Sequence, residues 1–232
     1  MKTYLSVQDV DSLFTALESL RNRCLLAVLR DTGIRVSELI SIEKVSIDLK
    51  KRLIRIRAVK IKQLRTCPSC HTKSGRRAVF CPGCGASLVE IPLEAGAARA
   101  IRRLVAVSAE TAELLKDLAA RPPKRSPWLF PSPKDPQAHL TRQQVYNIVR
   151  GAASRAGLDG KILDHPQFDT SHYVSPHKLR DHAAIKAFRA DPTLEGLRVT
   201  AFRLGHSKVE TTINSYLKML STEAEEEGKD VE

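Results

Sequence analysis

Apolar residues recur at helical spacing along most of this chain and alternate with period two in only two stretches. That pattern predicts an α+β fold, mainly helical, with a small antiparallel β-sheet. Ser6-Val7-Gln8-Asp9 forms a capping box ahead of Val10, Leu13, Phe14, Leu17 and Leu20, so an amphipathic helix starts close to the N-terminus. A second apolar helix through Cys24-Leu25-Leu26-Ala27-Val28-Leu29 ends near Gly33, which can take the left-handed conformation and turn the chain into Arg35 to Ile40. Ser108 caps a helix through Leu114, Leu115 and Leu118, and Thr141-Arg142-Gln143-Gln144 opens one that ends around Gly157. Ser175-Pro176 starts another directly before His177, and Ser207-Lys208-Val209-Glu210 caps one that carries Tyr216. The Pro-rich stretch from Arg121 to Pro136 reads as a loop pinned by Trp128, Leu129 and Phe130.

The two alternating stretches are Leu53 to Val59, with one basic face, and Arg102 to Val107. A tight turn would suffice to join them, yet the chain between holds two CxxC pairs, Cys67/Cys70 and Cys81/Cys84, so residues 63–101 read as an insertion in a hairpin. The fifth cysteine, Cys24, lies in an apolar run and reads as a small core residue. Four thiolates at this spacing close a tetrahedral zinc site, with Gly85 permitting the sharp turn beneath the metal. One structural zinc per chain is expected, with rubredoxin-like iron the alternative; His71 is surplus to a four-cysteine set.

Charge sharpens this picture. The formal net charge is +12, and a basic surface gains affinity for a polyanion by releasing condensed counterions, so double-stranded DNA is the expected partner. From Lys60 to Arg103 nine basic residues face only Glu90 and Glu94, which points to a DNA-contact role for the cysteine segment, against a protein contact or a plain stabilising insert. Residues 221–232 are acidic and read as a mobile tail. No apolar stretch approaches the roughly 20 residues of a membrane span and no signal-peptide core is present, so an intracellular location is expected.

Several residues suit phosphoryl transfer. A tyrosine phenol, with a pKa near 10, attacks a phosphodiester only with a nearby base and strong stabilisation of the developing charge. Planar, permanently charged guanidiniums match phosphate oxygens, and Arg35 and Arg180 are the candidates. Arg35 alone could equally be a surface partner of Glu38. His177 and Arg180, three residues apart at a helix start, share one face, although His177 alone could be a capping residue. His206 follows Gly205 and can donate to a non-bridging oxygen. Tyr216 shares a helix face with Val209 and Ile213, a position that in isolation also suits core packing.

Asp31-Thr32-Gly33-Ile34-Arg35-Val36-Ser37-Glu38-Leu39, Ser175-Pro176-His177-Lys178-Leu179-Arg180 and the run from Leu204-Gly205-His206 to Tyr216 occur in that order. They resemble the two arginine boxes and the nucleophile segment of the tyrosine recombinases, the phage integrase family. The resemblance covers nearly all of residues 1–220 outside the insertion. It implies a tyrosine recombinase catalytic domain over 1–220, a zinc ribbon over 63–101 and an acidic tail over 221–232. It further implies the catalytic set Arg35, Lys60, His177, Arg180, His206 and Tyr216, with Glu38 supporting Arg35. The lysine belongs in the turn Val59-Lys60-Ile61-Lys62, where Lys62, or Lys73 beyond it, is the alternative. Asp181-His182 follow Arg180, where the family often has histidine directly.

The implied activity is site-specific recombination or integration through a 3′-phosphotyrosyl intermediate, with no catalytic metal or ATP. A type IB topoisomerase-like relaxase and a non-catalytic DNA-binding protein are the alternatives. The implied assembly is a homo-oligomer, a tetramer, on DNA, with a monomer possible in solution. The setting is the cytoplasm of a prokaryote or archaeon, associated with the nucleoid, and the family's separate N-terminal clamping domain has no expected counterpart.

Overall fold

In a computed structural model of the chain the described residues are 4–121, 125–158, 174–205 and 213, with 58–62 and 96–102 described by backbone alone. They form helices α1 (Val7–Thr15), α2 (Leu20–Thr32) and α3 (Val36–Ile40), a single 3₁₀ turn (Lys44–Ser46), strands β1 (Ile47–Asp48), β2 (Leu53–Thr66), β3 (Lys73–Gly75) and β4 (Glu94–Ala106), and helices α4 (Ala109–Ala120), α5 (Arg142–Arg155), α6 (Pro176–Ala190) and α7 (Leu194–Leu204). The chain divides into two compact units, Arg57–Arg102 and the remainder.

Local signals account for most helix starts. Ser6 and Thr141 each close a capping box, Ser108 accepts from the Thr111 amide, and Pro176 occupies the first position of α6, where its missing amide hydrogen costs nothing. In the larger unit α2 is the central helix, with Cys24 to Leu29 buried as a continuous run and α4 and α6 packed against it. Cys24 is part of this core: its thiol donates to the Leu114 carbonyl at 3.1 Å, and burial pushes its pKa up to about 12. Phe130, fully buried, and Leu129, whose amide bonds the Ile42 carbonyl at 2.8 Å, hold the Pro-rich segment to the core.

Gly33 ends α2 in the left-handed region at φ 58. A Cβ there would come within 2.5 Å of Leu204 Cδ2 and 3.0 Å of Ala183 Cβ, so the end of α2 lies directly against α6 and α7. Glycine is required both by the dihedral angle and by this close approach.

β2 pairs antiparallel with β1 at its start and with β3 at its far end, and β4 also pairs with β2. Here the structure departs from the sequence expectation. β2 does not stop at Val59 but continues through Lys60 to Thr66, and β4 begins at Glu94, not Arg102. The turn expected at Val59–Lys62 is therefore strand: β2, which also pairs with β4, runs on through it to pair with β3 at Leu64–Thr66, inside the segment read as an insertion in the hairpin. α7 was not expected either, although Thr193 caps it by accepting from the Gly196 amide and Gly205 ends it at φ 70. The expected cap at 207–210 and the acidic tail at 221–232 lie outside the described residues. Among the described residues no helix is long and apolar enough to cross a membrane.

Candidate active site

The C-terminal end of α7 presents carbonyl oxygens that no further helical turn can satisfy. Three guanidiniums supply the missing donors. Arg35 donates through Nη2 to the Gly205 carbonyl at 3.0 Å, Arg180 through Nη2 to the Leu204 carbonyl at 2.8 Å, and Arg103 through Nε to the Arg203 carbonyl at 3.0 Å. Arg180 also bonds the Gly33 carbonyl through Nη1, tying α6 to the end of α2. The negative end of the helix dipole favours cations at this position.

Glu38 is the anion of the cluster. Its two carboxylate oxygens take a bidentate pair from Arg103, at 2.9 and 2.8 Å, and also accept from the Arg35 amide at 2.8 Å and from Arg35 Nη1 at 3.5 Å. The Glu38 and Arg103 side chains are 3% and 2% exposed, whereas that of Arg35 is 40% exposed. Arg35 is therefore the guanidinium of the cluster that presents an accessible edge, and Arg103 is enclosed. Burial raises the cost of the Glu38 charge, but the hydrogen bonds from Arg103 and from the Arg35 backbone outweigh it, and its pKa lies below the ordinary glutamate value. Burial, then the like charge of Arg35, lowers Arg180 to about 10, so it remains protonated at neutral pH.

Among the described residues, three guanidiniums and one carboxylate joined by hydrogen bonds leave the cluster with surplus positive charge, the condition that an anionic phosphate would relieve. A buried ion pair of this kind is a poor source of net stability, since desolvation offsets its attraction, but removing one partner strands a charge and costs about 3–5 kcal/mol.

The sequence-predicted residues divide as follows. Arg35 and Arg180 meet at the end of α7, and His177 is exposed on the first turn of α6, three residues before Arg180. Lys60 lies on β2 in the smaller unit, and its side chain, like that of Lys62, is not among those described. His206 and Tyr216 lie outside the described residues. His182 is buried, with Nδ1 at 2.9 Å from the Leu5 carbonyl, and burial lowers its pKa, which marks it as a packing residue of α6. Arg103 was missed: in sequence it is one basic residue of a run, and its partner Glu38 lies 65 positions away. The one available signal was its place in the alternating stretch Arg102 to Val107, where Arg103 shares a strand face with the buried Val105.

The smaller unit is organised around Cys67, Cys70, Cys81 and Cys84, whose sulfurs all lie within 4.8 Å of one another. The Cys67–Cys84 and Cys70–Cys81 separations are 3.6 and 3.4 Å. Four sulfurs about 2.3 Å from a central zinc are spaced by about 3.8 Å, so this set fits the ion. The two knuckles share one backbone design. The His71 amide bonds the Cys67 carbonyl and the Gly85 amide the Cys81 carbonyl, each at 2.9 Å, and both residues are left-handed, at φ 57 and 74. His71 thus contributes a turn and not a fifth ligand. Hydrogen bonds with Thr72 draw the Cys70 thiol down to about 6. Cys84, despite a backbone hydrogen bond from Ala86, is pushed up to about 12 by the neighbouring Cys70 and Cys67 sulfurs. A cation at the centre would remove that conflict. Among the described residues Cys67, Cys81 and Leu88 form a buried core here, and Arg65 stitches the loop through the carbonyls of Ile91, Arg76 and Ala78.

Residues 3–75 and 85–223 match the phage integrase family, and the interval left out, 76–84, contains the second cysteine pair. Tyrosine recombinase XerD of Agrobacterium fabrum is 31% identical over 198 residues, 84% of this chain and 48% of that protein. The corresponding protein of Bradyrhizobium diazoefficiens is 29% identical over 199 residues, 84% of this chain and 48% of its own. The chain thus spans about half the length of the curated relatives it matches. Among solved structures, XerA recombinase superposes with a TM-score of 0.61 at 20% identity, covering 95% of this chain and 63% of that one. XerH site-specific recombinase bound to difH gives 0.56 at 19% identity, covering 97% and 52%. These likenesses establish the tyrosine recombinase catalytic fold.

Glu38 should make the larger unit acid-sensitive in a defined window. Because its folded pKa is depressed, its contribution is complete above the ordinary value of 4.5 and is lost as pH falls through the folded value. In thermal melts from pH 7 to pH 3, Glu38→Gln should melt well below wild type at pH 7, and the gap should narrow below pH 4.5 as the wild-type carboxylate protonates. Melting curves that stay parallel across that range would contradict the depressed value.

Proposed function

The chain belongs to the phage integrase family, and on that premise we propose that it is a tyrosine-type site-specific recombinase that cleaves and rejoins double-stranded DNA. The observation that carries this reading is the convergence of Arg35 and Arg180 on the last carbonyls of α7, immediately before His206.

In this reading the Tyr216 oxygen attacks the scissile phosphorus, forming a 3′-phosphotyrosyl bond as the bond to the 5′-oxygen breaks. The phenolic proton passes to a nearby base, and Lys60 protonates the departing 5′-oxygen as general acid. Arg35, Arg180, His177 and His206 donate to the non-bridging oxygens, where charge builds in the pentacoordinate state. The phosphotyrosine conserves the bond energy, so a 5′-hydroxyl from a partner duplex can reverse the step and seal the exchanged strand. Recombination of two duplexes calls for several protomers, and a tetramer on DNA in the cytoplasm is the assembly this implies.

Zinc bound by Cys67, Cys70, Cys81 and Cys84 would cross-link the two knuckles and stiffen the second unit. The exposed Arg76 and Arg77, beside the exposed Val79 and Phe80, favour a surface that touches DNA. The metal would hold this module in shape, and cleavage rests on the chain's own arginines, lysine, histidines and tyrosine.

Tyr216→Phe should abolish the covalent protein–DNA adduct on nicked suicide duplexes tiled across the DNA flanking the gene, while duplex binding stays within a few-fold. Arg35→Ala or Arg180→Ala should slow adduct formation by on the order of a hundredfold or more. An adduct that persists in the Phe variant, or near wild-type cleavage in either arginine variant, would overturn the assignment.

Purified protein should contain one zinc per chain, and Cys81→Ser with Cys84→Ser should lose it. The helical circular dichroism of that variant should stay near wild type while duplex affinity falls and its dependence on salt becomes shallower. Unchanged affinity and salt slope in the folded, zinc-free variant would reject the DNA-contact role.

A further inference from the structure

Arg103 uses its donors in a way the proposed chemistry does not require of a phosphate ligand. Nη1 and Nη2 grip both oxygens of Glu38, Nη2 also reaches the Leu204 carbonyl at 3.4 Å, and Nε holds the Arg203 carbonyl. Its side chain is 2% exposed, so little of it can reach a substrate. Gly205 lies directly over it: a Cβ there would approach Arg103 Nη1 to 2.7 Å and Cζ to 2.9 Å. The glycine that precedes His206 is thus shaped to this guanidinium.

Glu38 in turn holds Arg35 twice, by backbone amide and by Nη1, and Arg35 bonds the Gly205 carbonyl. The chain of contacts runs from Arg103 through Glu38 to Arg35, and from Arg103 through the last carbonyls of α7 to Gly205. The first branch ends at Arg35, assigned above to the scissile phosphate, and the second at the residue that precedes His206 in the sequence. A buried pair adds little net stability in place of apolar residues, so what it contributes here is geometry.

We propose that Arg103 is a positioning residue for DNA cleavage, fixing Arg35 through Glu38 and the segment leading to His206 through the C-terminus of α7. This rests on the recombinase reading above. Arg103 is also the first residue of the larger unit after Arg57–Arg102, so the strand that leaves the cysteine unit delivers it to the cluster.

Three variants separate positioning from simple support of the fold: Arg103→Met, Arg103→Lys, and Arg103→Met combined with Glu38→Gln. The combination removes both charges, so neither is left buried alone, and should melt closer to wild type than Arg103→Met does. Single-turnover adduct formation is measured at saturating nicked duplex, well below each melting temperature, on a phosphodiester and on a methylphosphonate at the scissile position. Arg103→Met should slow the phosphodiester reaction at least tenfold with binding within about threefold, and Arg103→Lys should recover part of the rate. The combined variant should stay slow although stable. The defect should shrink on the methylphosphonate, whose lost charge no longer demands a well-placed Arg35.

If wild type forms no adduct, the recombinase reading fails and this proposal falls with it. If wild type cleaves and the combined variant regains the wild-type rate with its stability, Arg103 merely supports the fold. Equal defects on both substrates would likewise overturn the positioning role.

Discussion

The end of a helix is a place where backbone carbonyls must find donors, and in this protein the donors at the end of α7 are arginine side chains from three distant elements. Arg35 comes from the turn after α2, Arg103 from the end of β4 and Arg180 from α6. Satisfying the helix therefore brings three guanidiniums to one point, where Glu38, bonded to Arg35 and Arg103, tempers their mutual repulsion. The same arrangement solves a folding problem and leaves an excess of positive charge beside the sequence that reads as the nucleophile segment. Gly33 and Gly205 permit it, since both are left-handed and both sit where a Cβ would collide with the cluster or with Leu204.

Much of the helical framework was legible in the sequence because its signals are local. Capping boxes at Ser6 and Thr141, the cap at Ser108, the proline at 176 and the glycine at 33 act within a few residues and need no tertiary partner. Arg35 and Arg180 were legible as members of motifs. Arg103 was not, because its significance lies in partners 65 and about a hundred positions away and in a burial that a run of basic residues conceals. The extent of β2 and β4 was hidden for a related reason. The alternation changes phase at Val59, with apolar residues at even positions before it and at Val59 and Ile61 after it, and β2, which also pairs with β4, continues through that slip to Thr66. α7 carries a cap at Thr193 and a terminal glycine, but its exposed Leu194, Val199 and Phe202 blur the helical period.

The cysteine unit follows another physical logic. Its buried core among the described residues is Cys67, Cys81 and Leu88, and the symmetric knuckles place four sulfurs at the spacing of a tetrahedral ion. The family match passes over 76–84, so this part of the unit is an elaboration on the shared fold. β4, the strand that leaves the cysteine unit, carries Arg103 three residues before its end, so that unit is joined covalently to the residue that pairs with Glu38.

The dependence of the end of α7 on the guanidinium cluster is most directly measured by native-state hydrogen exchange across Leu194–Leu204 in wild type and in Arg103→Lys. Amides of the last turn of α7 should exchange at least tenfold faster in the variant while those of α1 and α5 keep their wild-type rates. Unchanged exchange in that turn, or an equal acceleration in every helix, would contradict the role assigned to the cluster.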